Sequence, residues 1–179
     1  MLSAIDHDIL RFCYALATSS ALAGGIAVFF AEWFPFIVFG SVVVYEFYAA
    51  DEDHHIVGSL SRTIFASFLA WFLIELFKYV HPAARPFAAL SDVTQLVDVS
   101  DPFGSFPSAH AGFFGALAGT MLGNRFHAWK WYLLAAILIA IGRVAVGVHW
   151  PVDVTVGLSF GFALGFLIAR PLAMAKFAR

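Results

Sequence analysis

Between Arg143 and Asp153 the chain reads Arg-Val-Ala-Val-Gly-Val-His-Trp-Pro-Val-Asp, so a guanidinium, an imidazole and a carboxylate stand at fixed offsets. A guanidinium grips phosphate oxygens in fork geometry. An imidazole is a nucleophile or a proton carrier near neutral pH. A carboxylate just beyond it can orient the ring and stabilise its charged form. We therefore expect phosphorus chemistry, with His149 attacking a phosphorus atom and Asp153 supporting it.

Two earlier clusters supply what this stretch lacks. Lys78 is followed by Arg85-Pro86, and later comes Pro107-Ser108-Ala109-His110. Lys78, Arg85 and Arg143 would neutralise the non-bridging oxygens of a phosphoryl group, where transition-state charge sits. Pro107-Ser108 reads as a helix start, since serine is a good N-cap and proline is at home there. The N–H groups of such a start face anions, and the Ser108 hydroxyl adds a donor. His110, in the same first turn, is placed to protonate a leaving oxygen as general acid.

Each residue alone has a plainer reading. Lys78 and Arg85 could be interfacial anchors with snorkelling heads. Ser108 could be only an N-cap, Asp153 only an acid answering the helix dipole, and His110 a packed ring. The order of the three clusters, and their shared face, argue for the joint reading. His54, His55, His81 and His127 lie at turns and are assigned no chemistry. A divalent metal among the histidines and loop acids would be repelled by the neighbouring cations, so neither a metal nor another cofactor is expected.

The elements that must position these groups are membrane helices. The 179 residues are 61% hydrophobic and 12% charged, with a mean hydropathy of +0.85. Soluble domains run at about 45–50% apolar and about 25% charged, and one soluble core cannot hide the difference. The length suits a single domain over 1–179. The net charge of −2 argues against a nucleic-acid partner. The single Cys13 excludes an internal disulfide. Asp6, Asp8 and Arg11 interrupt the N-terminal stretch, so no signal peptide is read there.

We expect an all-α polytopic bundle of five to six transmembrane helices with an N-terminal interfacial helix. Residues 3–18 place Ile5, Ile9, Phe12 and Leu16 on one face, with Ser3 as N-cap and Asp6 in the capping arrangement. A span over 9–31 with Arg11 snorkelling is the alternative. Residues 19–33 read as a short packed helix, and Pro35 as the opening of a span over 35–50. A polar turn over 49–55 follows, then spans over 57–80, 108–123, 131–147 and 152–170, and a basic tail with Arg170, Lys176 and Arg179. The long connection 81–107 carries four prolines and the acids Asp92, Asp98 and Asp101, and such a loop is usually functional. Alternating direction places 81–107 and 147–152 on one face. Arg125, Lys130 and the tail mark the opposite face as cytoplasmic, so the site should be extracytoplasmic in the cell membrane.

Together the three clusters resemble the tripartite signature of the type-2 phosphatidate phosphatase superfamily. It includes membrane lipid phosphatases and shares its fold with soluble acid phosphatases and vanadium haloperoxidases. The resemblance implies that His149 becomes a phosphohistidine, that Asp153 orients it and that His110 protonates the leaving group. It also implies that Lys78, Arg85, Ser108, the Ala109 amide and Arg143 hold the phosphate, without a metal. Ala109 stands where the family often has Gly or Asp, and Gly142 where it often has Ser. Arg85-Pro86-Phe87, Val93-Thr94-Gln95-Leu96 and Ser105-Phe106-Pro107 are similar to bacterial undecaprenyl-diphosphate phosphatases, although many of these carry Asp at the Ala109 position. Phosphatidylglycerophosphate, phosphatidate and lipid A phosphates are the other substrates to weigh. A transporter with an anion-binding site is the reading from another class.

Overall fold

The computed structural model describes residues 4–49 and 56–170. Regular structure among them is helical, apart from a single bridge between Ala83 and Gly104. Among the described residues, three helices are long and apolar enough to cross a membrane, Ala21–Tyr48, Gly58–Val80 and Pro151–Ala169. Ser3, residues 50–55 of the expected polar turn and the tail beyond Arg170 lie outside the described residues.

Helix α1 (Ala4–Thr18) stops before Ser20, whose extended backbone and hydroxyl cap the next helix by accepting the Ala23 N–H at 3.2 Å. That break overturns a span over 9–31. Along α1, Ile5, Ile9, Phe12 and Leu16 are exposed while Leu10 is buried. Its inner face holds the site side of the molecule. The Asp6 carboxylate accepts the Val152 N–H at 3.1 Å, and the Tyr14 hydroxyl accepts the Thr94 N–H at 3.0 Å. An apolar outer stripe over a polar inner one suits a helix lying in an interface.

Helix α2 (Ala21–Val28), a π-helical turn (Phe29–Trp33) and helix α3 (Phe34–Tyr48) run on without a break. This corrects the expected short helix over 19–33 and the new span at Pro35. A proline lacks an N–H and its ring crowds the preceding turn. The wider π turn, in which the Phe34 N–H bonds the Phe29 carbonyl, accommodates Pro35 inside one helix.

Helix α4 (Ile56–Val80) leads into the connection 81–107, where residues Pro86–Ala89 make one turn of helix, α5. The connection folds back on itself. Ala83 N–H donates to the Phe103 carbonyl at 2.6 Å, Arg85 N–H to Pro102 at 2.9 Å, and Ser105 N–H to Ala83 at 3.1 Å. Helices α6 (Ala109–Gly123), α7 (Trp129–Ala145) and α8 (Pro151–Ala169) complete the bundle.

Helix α6 is buried along most of its length and packs chiefly on α8. The two meet at a seam of glycines. A Cβ at Gly161 would collide with the Gly112 carbonyl oxygen, one at Gly165 with that of Ala116, and one at Gly119 with that of Phe162. Small residues let backbones close in where lipid offers no hydrophobic drive for association. The seam therefore fixes the starts of α6 and α8 against each other.

Candidate active site

The site forms where the starts of α6 and α8 meet the connection 81–107. Helix α7 is followed, past its cap Val146, by Gly147, whose φ of 79° is the left-handed conformation that glycine supplies most readily. A Cβ there would lie 2.9 Å from Val93 Cγ1 and 3.1 Å from the Thr94 carbonyl oxygen, so the connection presses directly on this turn. Leu96 N–H donates to the Val146 carbonyl at 3.0 Å. The turn sends Val148, His149 and Trp150 back across the bundle, and Pro151 begins α8.

His149 is held on both ring nitrogens. Arg85 Nη1 lies 3.1 Å from Nε2, and Asp153 Oδ2 lies 3.4 Å from Nδ1. A guanidinium can only donate, so Nε2 presents its lone pair and Nδ1 carries the proton. Arg85 also donates to the Val148 carbonyl at 2.9 Å and through Nε to the Asp101 carbonyl at 2.8 Å. Asp153 Oδ2 further accepts the Trp150 N–H at 2.8 Å and the Ser105 hydroxyl at 2.5 Å. The one carboxylate thus caps the start of α8 and faces the imidazole at the same time. Its backbone carbonyl accepts the Ser108 N–H at 3.0 Å, which ties the second cluster to the third.

The electrostatics favour a neutral imidazole. Burial pushes the His149 pKa well below its ordinary value, and Arg85, Arg143, Lys78 and His110 push the same way. Burial also lowers the Arg85 pKa, opposed by the charges of Asp101, Asp153 and Glu75. All three expected cations, together with His110, therefore act on the His149 ring. Ser108 is fully buried and its hydroxyl caps Ala111 N–H at 3.5 Å. Its own amide is occupied by Asp153, so the anion-facing amides of this helix start are those that follow, Ala109 first. His110 is exposed into a cleft of about 320 Å³ between α3, α4 and α6, lined by Glu32, Phe36, Phe39, Phe68, Trp71 and Phe113 among others.

Several site residues were not expected. Ser105 and Trp150 support Asp153, and the Trp150 indole N–H donates to the Ala84 carbonyl at 3.0 Å. Glu32 Oε1 accepts from Arg143 Nη1 at 2.8 Å, and Glu75 Oε1 from Lys78 Nζ at 2.9 Å. Glu75, three residues before Lys78 on a helix, could have been paired with it by spacing. Nothing in the spacing links Glu32 to Arg143. An imidazole with Nδ1 on a carboxylate and the Nε2 lone pair turned to a guanidinium, set among three cations, has the groups for nucleophilic substitution at an anionic centre.

Fold and site together define a membrane phosphatase class, and the chain belongs to the PAP2 superfamily, whose pattern matches residues 59–176. Among individual proteins it is similar to an undecaprenyl-diphosphatase of Sulfolobus acidocaldarius, 38% identical over 108 residues. That match covers 59% of this chain and about half (52%) of the archaeal relative. A bacitracin transport permease protein, BcrC of Bacillus licheniformis, is 27% identical over 160 residues, covering 89% of this chain and 76% of the relative. The crystal structure of Aquifex aeolicus LpxE superposes with a TM-score of 0.74 at 25% identity, covering 93% of this chain and 95% of that one.

Proposed function

We propose that this protein hydrolyses a membrane lipid diphosphate without a metal, converting undecaprenyl diphosphate to undecaprenyl phosphate through a phosphohistidine at His149. The observation that carries the reading is the His149 ring, with Nε2 turned to Arg85 and Nδ1 to Asp153. His149 Nε2 attacks the terminal phosphorus as the bond to the bridging oxygen breaks. His110 gives its proton to that leaving oxygen. Asp153 holds the imidazolium character that develops on His149. Lys78, Arg85, Arg143, Ser108 and the Ala109 amide bind the phosphoryl oxygens. Water then attacks the phosphohistidine, giving up a proton to His110, and inorganic phosphate leaves.

The undecaprenyl assignment draws on the likeness to the archaeal undecaprenyl-diphosphatase. Phosphatidylglycerophosphate, phosphatidate and lipid A phosphates complete the test panel. The lipid tail enters laterally through the aromatic cleft beside His110, whose Phe36, Phe68 and Trp71 are exposed on the flank of the bundle. The protein acts as one domain with five spans, α2–α3, α4, α6, α7 and α8, and with its site on the extracytoplasmic face of the cell membrane.

A transport function is favoured by the name of the Bacillus licheniformis relative, but it leaves the His149–Asp153 pair without a task. The deciding experiment is phosphate release from the lipid panel in detergent with EDTA present. Release in EDTA is expected. Loss of activity with EDTA would overturn the metal-free route, and flux of lipid or phosphate across liposomes without release would establish the transporter.

A further inference from the structure

Two of the three cations in the cradle are already paired. Lys78 Nζ meets Glu75 at 2.9 Å, and Arg143 Nη1 meets Glu32 at 2.8 Å. Glu75 sits on the same helix as its partner, an ordinary arrangement. Glu32 comes from another part of the chain and is brought in by the π turn.

The approach is close. A Cβ at Gly142 would stand 2.9 Å from the Ala31 backbone nitrogen and 3.0 Å from the Phe30 carbonyl carbon. Helix α7 therefore lies on the backbone of the π turn, at the position before Arg143. The missing side chain at Gly142 makes room for the turn, and the turn delivers Glu32 to Arg143. Arg143 is 4% exposed and its Nε is buried without a hydrogen-bond partner. The guanidinium thus has one edge on Glu32 and a donor left for another acceptor. Glu32 is 42% exposed and lines both the aromatic cleft with His110 and a second cleft with Leu96, Val97 and Asp98. Its carboxylate stands where the lipid groove meets the phosphate cradle.

We infer that Glu32 is a positioning residue that sets the charge of the phosphate cradle, weakening its hold on the phosphate anion so that product can leave. The inference rests on the phosphatase reading above. Three buried, uncompensated cations would bind a phosphate dianion tightly in substrate, intermediate and product alike. Binding that is equal in all states does not speed the chemical step. A carboxylate on Arg143 subtracts from this uniform affinity while holding the guanidinium in place for the transition state.

The test compares the wild type with Glu32→Gln, which keeps the size and an acceptor oxygen but removes the charge. The readouts are inhibition of lipid-phosphate hydrolysis by inorganic phosphate, and direct titration of orthovanadate onto the protein in detergent. Loss of the charge is expected to tighten both by roughly tenfold, the factor for about 1.4 kcal/mol. kcat should fall more than kcat/KM as product release slows. Glu32→Asp, which keeps the charge, should stay near the wild type. Gly142→Ala, which pushes the π turn off α7 without touching Glu32, should move in the direction of Glu32→Gln. Unchanged or weaker phosphate and vanadate binding in Glu32→Gln, with wild-type turnover intact, overturns the inference alone. A wild type that releases no phosphate from any lipid overturns the phosphatase reading, and the vanadate comparison still decides the role of Glu32.

Discussion

Arg85 Nη1 lies 3.1 Å from His149 Nε2, so the atom proposed to attack phosphorus is covered by one of the groups proposed to bind it. On the proposed mechanism, substrate has to draw Arg85 from the ring onto a phosphoryl oxygen, and this same movement frees Nε2. Arg85→Lys keeps a charge but loses the fork that also holds the carbonyls of Asp101 and Val148. We expect kcat/KM to fall by more than roughly tenfold, as for the loss of a charged hydrogen bond of about 1.5–3 kcal/mol. Steady-state kinetics would settle it, and near-wild-type activity in Arg85→Lys would remove Arg85 from this role.

His149→Ala should reduce phosphate release to background. Asp153→Asn should leave the fold intact and cost roughly 10²–10⁴-fold, the range for losing the support of a catalytic imidazole. Rapid-quench trapping of a phosphorylated protein in the wild type, absent in His149→Ala, reports the intermediate directly. Substantial residual turnover in His149→Ala would move the nucleophile elsewhere.

Ser105 donates to Asp153 Oδ2 at 2.5 Å from a fully buried position. Ser105→Ala should lower kcat by roughly 10- to 100-fold, from about 1.5–3 kcal/mol for a bond to a charged acceptor. Ser105→Thr should recover part of the loss. Unchanged kinetics in Ser105→Ala would show that the Trp150 amide alone holds the carboxylate.

The depressed pKa of His149 has a thermodynamic signature of definite sign. Below the unfolded-state value of about 6.5 the unfolded chain takes up a proton that the buried folded ring refuses. The unfolded state then binds more protons, so stability rises with pH and is lost as pH falls below that value, by at most about 1.4 kcal/mol per pH unit. Thermal melting in detergent between pH 5 and 7.5 should show this slope, and His149→Gln should flatten it. The same shift keeps His149 neutral down to acid pH, so the ring's titration should not cut kcat/KM between pH 6 and 8.

Gly161 lies on α8 where a Cβ would collide with the Gly112 carbonyl oxygen. Gly161→Ala should force the two helices apart and cost about 1–3 kcal/mol, as overpacking does. A lowered melting temperature checks it, and an unchanged one would show that the seam is looser than the geometry implies.

The three clusters were legible because their internal spacing is local and their residue types match one chemistry. Lys78, Arg85, Ser108, His110, Arg143, His149 and Asp153 gather at one end of the bundle as their order and topology predict. The partners that tune them were hidden by distance along the chain. Glu32 is 111 residues from Arg143, and Ser105 is 48 residues from Asp153. Pro35 misled for a different reason. Proline is read as a helix boundary because a regular α-helix cannot absorb it, and the π turn that does so has no simple pattern of its own. Gly142 showed only as a departure from a family habit until the backbone of Ala31 was found against it.

The glycine seam between α6 and α8 divides the molecule into parts with different freedom to change. Ser108 and Asp153 stand at the two starts of a pair that meets backbone to backbone at its glycines. That pair behaves as a single anvil, the same for whatever lipid is struck on it. The opposite wall of the cleft, built by α3 and α4 from Phe36, Phe39, Phe68 and Trp71, is made of side chains that can be exchanged singly. Selection for a new lipid would act on that wall and leave the anvil untouched, so related proteins could diverge in diet while sharing one mechanism.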